Sequence, residues 1–351
     1  MKKTLPSMLR MLAAAAALAA GGPALADGAL LVNGAGATFP FPLYSKWFSE
    51  YGKLHPEVRF NYQSIGSGGG IQQITNGTVD FGASDAPMTD EELARAPGVV
   101  HVPTVLGAVV VTYNAPIPSL RLTADAVAGI FLGRIQRWDD PALAAVNPGV
   151  KLPSTPIAVV HRSDGSGTTA IFTDYLAKVS PEWRQRVGAG KSVRWPAGLG
   201  AKGNEGVTGL VKQTPGAVGY VELAYANQNR LAMAELRNRD GAFVKPTIES
   251  TSAAAGGVTM PDDFRVSITD ARGKDAWPLA SFTYLLVPRD QKDAAKGKAL
   301  VEFLWWAAHD GQRLAAPLDY APLPAQVVEK VSARLKTLSV QGRPVDLASS
   351  R

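Results

Sequence analysis

His161-Arg162-Ser163-Asp164-Gly165-Ser166-Gly167-Thr168-Thr169 gathers a guanidinium, a carboxylate and four hydroxyls around two glycines. The chemistry these groups share is anion binding. Arg162 offers a planar fork matched to an oxyanion, and Asp164, two residues on, is placed to hold it. Gly165 and Gly167 let backbone approach a ligand closely. Ser166 reads as the N-cap of a helix, whose first turn carries free N–H groups and a partial positive charge. The alternative is an ordinary capped helix beside a surface ion pair.

The flanking residues fix the local structure. Pro156-Ile157-Ala158-Val159-Val160 is an apolar run of strand length. Ile171, Phe172, Tyr175, Leu176 and Val179 share one helical face. The stretch is therefore a strand–loop–helix junction. Two more such junctions occur earlier. Gly34-Ala35-Gly36-Ala37-Thr38-Phe39-Pro40 follows a strand at 30–33 and precedes a helix marked by Tyr44, Trp47, Phe48 and Tyr51. It fails the dinucleotide fingerprint, because Phe39 stands at the third glycine position. Ser64-Ile65-Gly66-Ser67-Gly68-Gly69-Gly70 follows a strand at 58–62 and precedes a helix carrying Ile71 and Ile74. Small residues in a row are costly as helix and need a reason. Gly198-Leu199-Gly200-Ala201-Lys202-Gly203 satisfies G-x-G-x-x-G, but Pro196 spoils the strand before it. It reads as a loop leading through Asn204, as N-cap, into a helix over 205–213.

Composition bounds the rest. The 351 residues suffice for two domains, and 46% hydrophobic against 19% charged content supports a substantial core. The absence of cysteine removes disulfides and thiol chemistry, and four scattered histidines make no metal pattern. No metal or cofactor is expected. Residues 1–26 have a basic start (Lys2, Lys3, Arg10), a short apolar core and Ala24-Leu25-Ala26, the pattern of a cleaved secretory signal peptide. The mature chain is then expected to start at Asp27, in the periplasm, with 33 basic and 30 acidic residues. That charge is too mild for nucleic acid.

Strands alternate with helices along the chain, so the fold class is α/β with mixed, mostly parallel sheets flanked by helices. Val79 to Asp85 is a short strand ending in an acid, which in isolation reads as a turn aspartate. Thr104 to Tyr113 is a strand that takes the chain from a first lobe into a second, and Ser281 to Val287 brings it back. Lobe I is expected over 27–105 and 281–351, and lobe II over 106–280. The loop of Arg134, Arg137, Trp138, Asp139 and Asp140 is assigned to the surface.

These residues carry a resemblance. Gly34 to Pro40, Ile65-Gly66-Ser67-Gly68-Gly69, Val79 to Pro87 and Asp164 to Thr168 resemble, in order, motifs of the periplasmic phosphate-binding proteins of high-affinity ABC phosphate importers. Phe131-Leu132-Gly133, Trp138-Asp139-Asp140, Trp195-Pro196, Gly219 to Glu222 and Leu318-Asp319-Tyr320 extend it over essentially the whole mature chain. The resemblance implies a two-lobed type II periplasmic binding-protein fold with the ligand in the interlobe cleft. It implies phosphate contacts from Thr38, the Phe39 N–H, Ser67, Asp85, Arg162, Ser166, the Gly167 N–H and Thr168, with Asp164 supporting Arg162. The implied partners are inorganic phosphate and a membrane permease, approached by a monomer. His161 and Gly68 depart from the usual arginine and serine.

The residue types suit that ligand. Phosphate near neutral pH keeps a proton, which needs an acceptor, and Asp85 is the candidate. Sulfate has the same shape and no proton, and would set two bare oxygens against each other. Other tetrahedral oxyanions, arsenate and sulfate, are the alternative ligands. A phosphatase is disfavoured: no G-x-S-x-G elbow occurs, and His161 on a strand end should point away from Ser166.

Overall fold

The computed structural model describes residues 28–347; the expected signal peptide and the expected first mature residue lie outside them. The described chain opens with β1 (Leu30–Gly36), α1 (Phe41–Leu54), β2 (Val58–Ser64), α2 (Ser67–Thr75), β3 (Phe81–Ser84), α3 (Asp90–Arg95) and β4 (Val99–Tyr113). α1 buries Leu43, Tyr44, Trp47 and Tyr51 on one face, with a proline in its first turn. α3 is started by a capping box between Thr89 and Glu92. α2 begins directly on Ser67 and includes the glycines that looked costly. The reason is close approach: a Cβ at Gly70 would lie 2.5 Å from the Gly36 Cα.

Among the described residues, a nine-stranded sheet holds the two lobes together. Its order is β2, β1, β3, Ala280–Pro288, β4, Ala217–Glu222, Ala158–Arg162, Leu199–Ala201, with Ala232–Met233 also on β4. The outer pairs are parallel. Ala280–Pro288 runs antiparallel to β3 and β4, and β4 runs antiparallel to Ala217–Glu222 and to Ala232–Met233. The sheet is mixed, as expected, but parallel and antiparallel pairs are equal in number. Every antiparallel pair of this sheet involves one of the two strands that cross between the lobes, β4 or Ala280–Pro288.

β4 is the spine. Val99 to Ala108 pair with Ala280–Pro288, and Val109 to Tyr113 pair with Ala217–Glu222. It starts five residues before the sequence-based limit at Thr104. The added stretch contains Pro103, which lacks a ladder donor. It is accommodated where the register slips: Tyr284 faces Pro103 and Thr283 faces Val105, leaving Thr104 as the extra residue of a bulge.

One assignment is corrected. Trp138 is not a surface residue; it is fully buried, its ring Nε1–H donates to the Gly216 carbonyl at 3.1 Å, and its ring meets Tyr113. The charged neighbours Arg137 and Asp139 do remain exposed and pair with each other. The 3.6-residue and two-residue periods do not register a lone tryptophan anchoring a loop.

Candidate anion-binding site

Among the described residues, four helix starts meet where the lobes touch. The turn into α1 presents Thr38 and Phe39, and α2 starts at Ser67. The helix Gly167–Val179 is capped by Ser166, whose hydroxyl accepts the Thr169 N–H at 3.0 Å. The helix Gly203–Gln213 supplies the fourth start. Such starts concentrate N–H groups and partial positive charge at one point. The lobes are in direct contact there. The Gly68 N–H donates to the Gly165 carbonyl at 2.8 Å, and the Gly167 N–H donates to the Ser67 hydroxyl at 3.1 Å. A Cβ on Gly167 would come within 2.5 Å of Asp85 Oδ2 and of Ser67 Oγ.

Thr38, Ser67, Asp85, Arg162, Ser166 and Thr168 are all buried around this contact. Arg162 makes no surface ion pair. Its side chain is 1% exposed, and its Nε–H and Nη2–H donate to Asp164 at 2.8 and 2.6 Å. Its Nη1–H donates to Thr168 Oγ1 at 3.3 Å. Burial works against the Asp164 charge, but Arg162 and the Gly203 N–H outweigh it and hold the carboxyl below its usual range.

Asp85 has the opposite balance. Burial pushes its carboxyl up to about 7, against the Thr283 hydroxyl, Arg162 and Ser67, which favour the charged form. Thr283 donates to Asp85 Oδ1 at 2.9 Å, and Ser67 lies 3.4 Å from Oδ2. The carboxyl is poised between proton donor and acceptor near neutral pH.

Three tyrosines hold the first turn of the site. Tyr62, Tyr225 and Tyr320 donate to the successive carbonyls of Ala37, Thr38 and Phe39 at 2.7, 2.6 and 2.6 Å. In a trans peptide the N–H points opposite its carbonyl. Tying back the Ala37 and Thr38 carbonyls therefore fixes the Thr38 and Phe39 N–H groups the other way. The Phe39 ring itself is core, packed where Gly107 leaves room.

The structure thus brings the expected residues together and adds Asn204, Thr283 and the three tyrosines. Asn204 is not an N-cap. The helix begins at Gly203, behind Lys202, and the buried Asn204 side chain bonds to Thr38 and Thr168 instead. His161 turns its ring onto Trp195, 4.8 Å between centroids, with Nδ1 at the Arg162 carbonyl. Among the described residues, no group of three His, Asp or Glu stands where it would hold a metal ion.

Known proteins match this chain in sequence and in fold. The PBP superfamily domain matches residues 15–308. The phosphate-binding protein PstS of Xylella fastidiosa is 47% identical over 86% of this chain and 84% of its own length. The PstS of Methanocaldococcus jannaschii is 41% identical over the same shares of the two chains. The chain belongs to the PstS family of phosphate-binding proteins. The PstS fold extends to remoter structures. A high-affinity periplasmic phosphate-binding protein, PfluDING, bound with phosphate, superposes with a TM-score of 0.71 at 22% identity, over 89% of this chain and 96% of its own. A phosphate-binding protein from Stenotrophomonas maltophilia gives 0.67 at 18% identity, over 87% and 94%.

Proposed function

We propose that this PstS-family chain captures inorganic phosphate between its lobes and delivers it to the permease of an ABC-type importer. It acts as a monomer in the periplasm after loss of residues 1–26. Residues 27–105 with 281–351 form one lobe and 106–280 the other, a division supported by the change of β4 partner at Val109. Thr38, Phe39 N–H, Ser67, Asp85, Arg162, Ser166, Gly167 N–H and Thr168 hold the anion. One observation carries the reading: the Asp85 carboxylate is buried against these donors and, among the described residues, has no cation paired to it. A protonated tetrahedral anion supplies the hydrogen that this carboxylate lacks. Like its PstS relatives the chain acts as a binding protein rather than an enzyme; among the described residues no base stands beside Ser166 to make it a nucleophile.

Titration calorimetry tests this on the chain from Asp27, freed of ligand by unfolding and refolding. Phosphate and sulfate are titrated at one pH and ionic strength. Tight one-to-one phosphate binding without a sulfate signal is expected. Equal binding of both, or of neither, overturns the reading.

Closure has its own clasp. Lys191 Nζ donates to Glu92 Oε2 at 2.8 Å, the same oxygen that takes the Thr89 N–H. The Lys191 carbonyl accepts the Ser166 N–H at 2.8 Å. The pair therefore joins the segment after Asp85 to the cap of the Arg162 loop. Its side chains are 16% and 22% exposed, so screening is partial. Lys191→Met is expected to speed phosphate release in stopped flow by about two- to fivefold. The difference should shrink in high salt.

A further inference from the structure

We propose that Asn204 sets the polarity of the cage, by filling the acceptor positions of the Thr38 and Thr168 hydroxyls so that both can only donate to the bound anion. This rests on the phosphate-binding reading above.

The orientation of the Asn204 amide is fixed by a group that can only donate. The Glu222 backbone N–H gives its hydrogen to Asn204 Oδ1 at 3.0 Å. The other end of the amide is therefore Nδ2. Its two hydrogens go to Thr38 Oγ1 at 2.7 Å and to Thr168 Oγ1 at 3.1 Å. Each hydroxyl oxygen receives a second N–H as well. Thr38 takes the Asn204 backbone N–H at 3.2 Å, and Thr168 takes Arg162 Nη1–H at 3.3 Å.

A hydroxyl has one hydrogen and two lone pairs. With both lone pairs engaged, only donation is left. Among the described residues neither hydroxyl gives its hydrogen to a protein acceptor, although both side chains are at least 98% buried. A buried hydroxyl hydrogen requires a partner. The anion is that partner. Thr38 lies on one lobe and Thr168 on the other, so one amide locks both walls of the cage when the lobes close. Ordinary hydroxyls accept as readily as they donate and would tolerate extra protons on a ligand. These two do not, so a tetrahedral oxyanion's proton must go elsewhere in the cage, and the Asp85 carboxylate accepts it.

Two variants test the assignment. In Asn204→Asp an ionised oxygen replaces Nδ2, and the threonine hydroxyls turn towards it. Phosphate affinity at pH 8 is expected to fall at least about a hundredfold, from two redirected hydrogen bonds and an added charge. In Asn204→Ala the hydroxyls are free to accept, and a loss of about tenfold is expected. The readout that separates polarity from packing is the ratio of variant to wild-type affinity against pH. Acid protonates the new aspartate in the first variant. In the second, the freed hydroxyls can accept the second proton of dihydrogen phosphate. Both ratios should recover between pH 8 and pH 5.5, most strongly for Asn204→Asp. Arg162, Asp164, Glu205, Glu222 and Asp85 surround the position and are present in wild type and variants alike, so the ratio cancels their own titration to first order.

Calorimetry is run on wild type and both variants, with a thermal melt for each. Asn204→Ala alone carries the test if Asn204→Asp fails to fold. Ratios that recover in acid support the assignment. Ratios constant with pH, or affinities equal to wild type, overturn it. A wild type that binds no phosphate overturns instead the functional reading on which it rests.

Discussion

Arg162→Ala is expected to abolish measurable phosphate binding and to destabilise the chain. Among the described residues the guanidinium is the one cation whose side chain lies inside the cage, and it is 1% exposed. Its removal takes away a charge-assisted fork, and it also uncovers Asp164, 13% exposed, beside the anion. An unpaired carboxylate there repels the ligand that the pair had attracted. Breaking a buried pair by removing one partner costs about 3–5 kcal/mol. The melting temperature should fall accordingly. Arg162→Ala combined with Asp164→Ala separates the two effects. The double variant should regain part of the stability in a thermal melt, and calorimetry should still show no binding. Restored binding in the double variant would remove Arg162 from the cage.

Asp85→Asn is expected to collapse the discrimination against sulfate. A carboxamide presents a donor as readily as an acceptor, so a proton-free oxyanion no longer meets a bare oxygen. A site built around a hydrogen bond rejects a ligand that lacks the partner, and with Asp85 titrating as described that discrimination is about a hundredfold at pH 9. Wild type adds a pH signature, because burial holds Asp85 at about 7. Sulfate requires the protonated carboxyl, so its weak affinity should rise about tenfold per unit as pH falls from 9 towards 7, then level. Asp85→Asn should show no such slope in calorimetry. The ligand-free stability follows the same group. The folded carboxyl keeps its proton to about 7, whereas an unfolded one releases it near 3.8. The folded state thus binds more protons between those values. Asp85's contribution is full below the lower value and is lost as pH rises through the upper one. Its removal should flatten that part of the stability curve. An unchanged phosphate-to-sulfate ratio would take Asp85 out of this role.

The parts of the site legible from sequence are the local ones. Arg162 and Asp164 are two residues apart, and Ser166 caps the helix that follows; short-range geometry dictates both. The strands and helices that present them follow from apolar periodicity. Thr283 and Tyr320 are invisible in that way. They reach Asp85 and Phe39 across 198 and 281 residues of chain, and only the crossing of the lobes brings them there. Asn204 was misassigned for a different reason. Asparagine ahead of a helix favours an N-cap. Here the helix begins two residues earlier, at Gly203, with no side-chain cap, and the amide is used between the lobes. Trp138 shows the same limit, since nothing in a charged loop signals that one ring turns inward.

The extra residue at Thr104 has a bearing on how the two lobes are related. Side-chain alternation along a strand is a parity, and one supernumerary residue inverts it. Up to Pro103, the odd-numbered residues of β4 share a face with the even-numbered residues of Ala280–Pro288. From Leu106 on, the even-numbered residues do. One continuous strand is thus read in opposite phase by the two halves of the molecule. A gained or lost residue within it would turn a whole half to the wrong layer. In the spine, the count of residues is itself under constraint, independently of which residues they are.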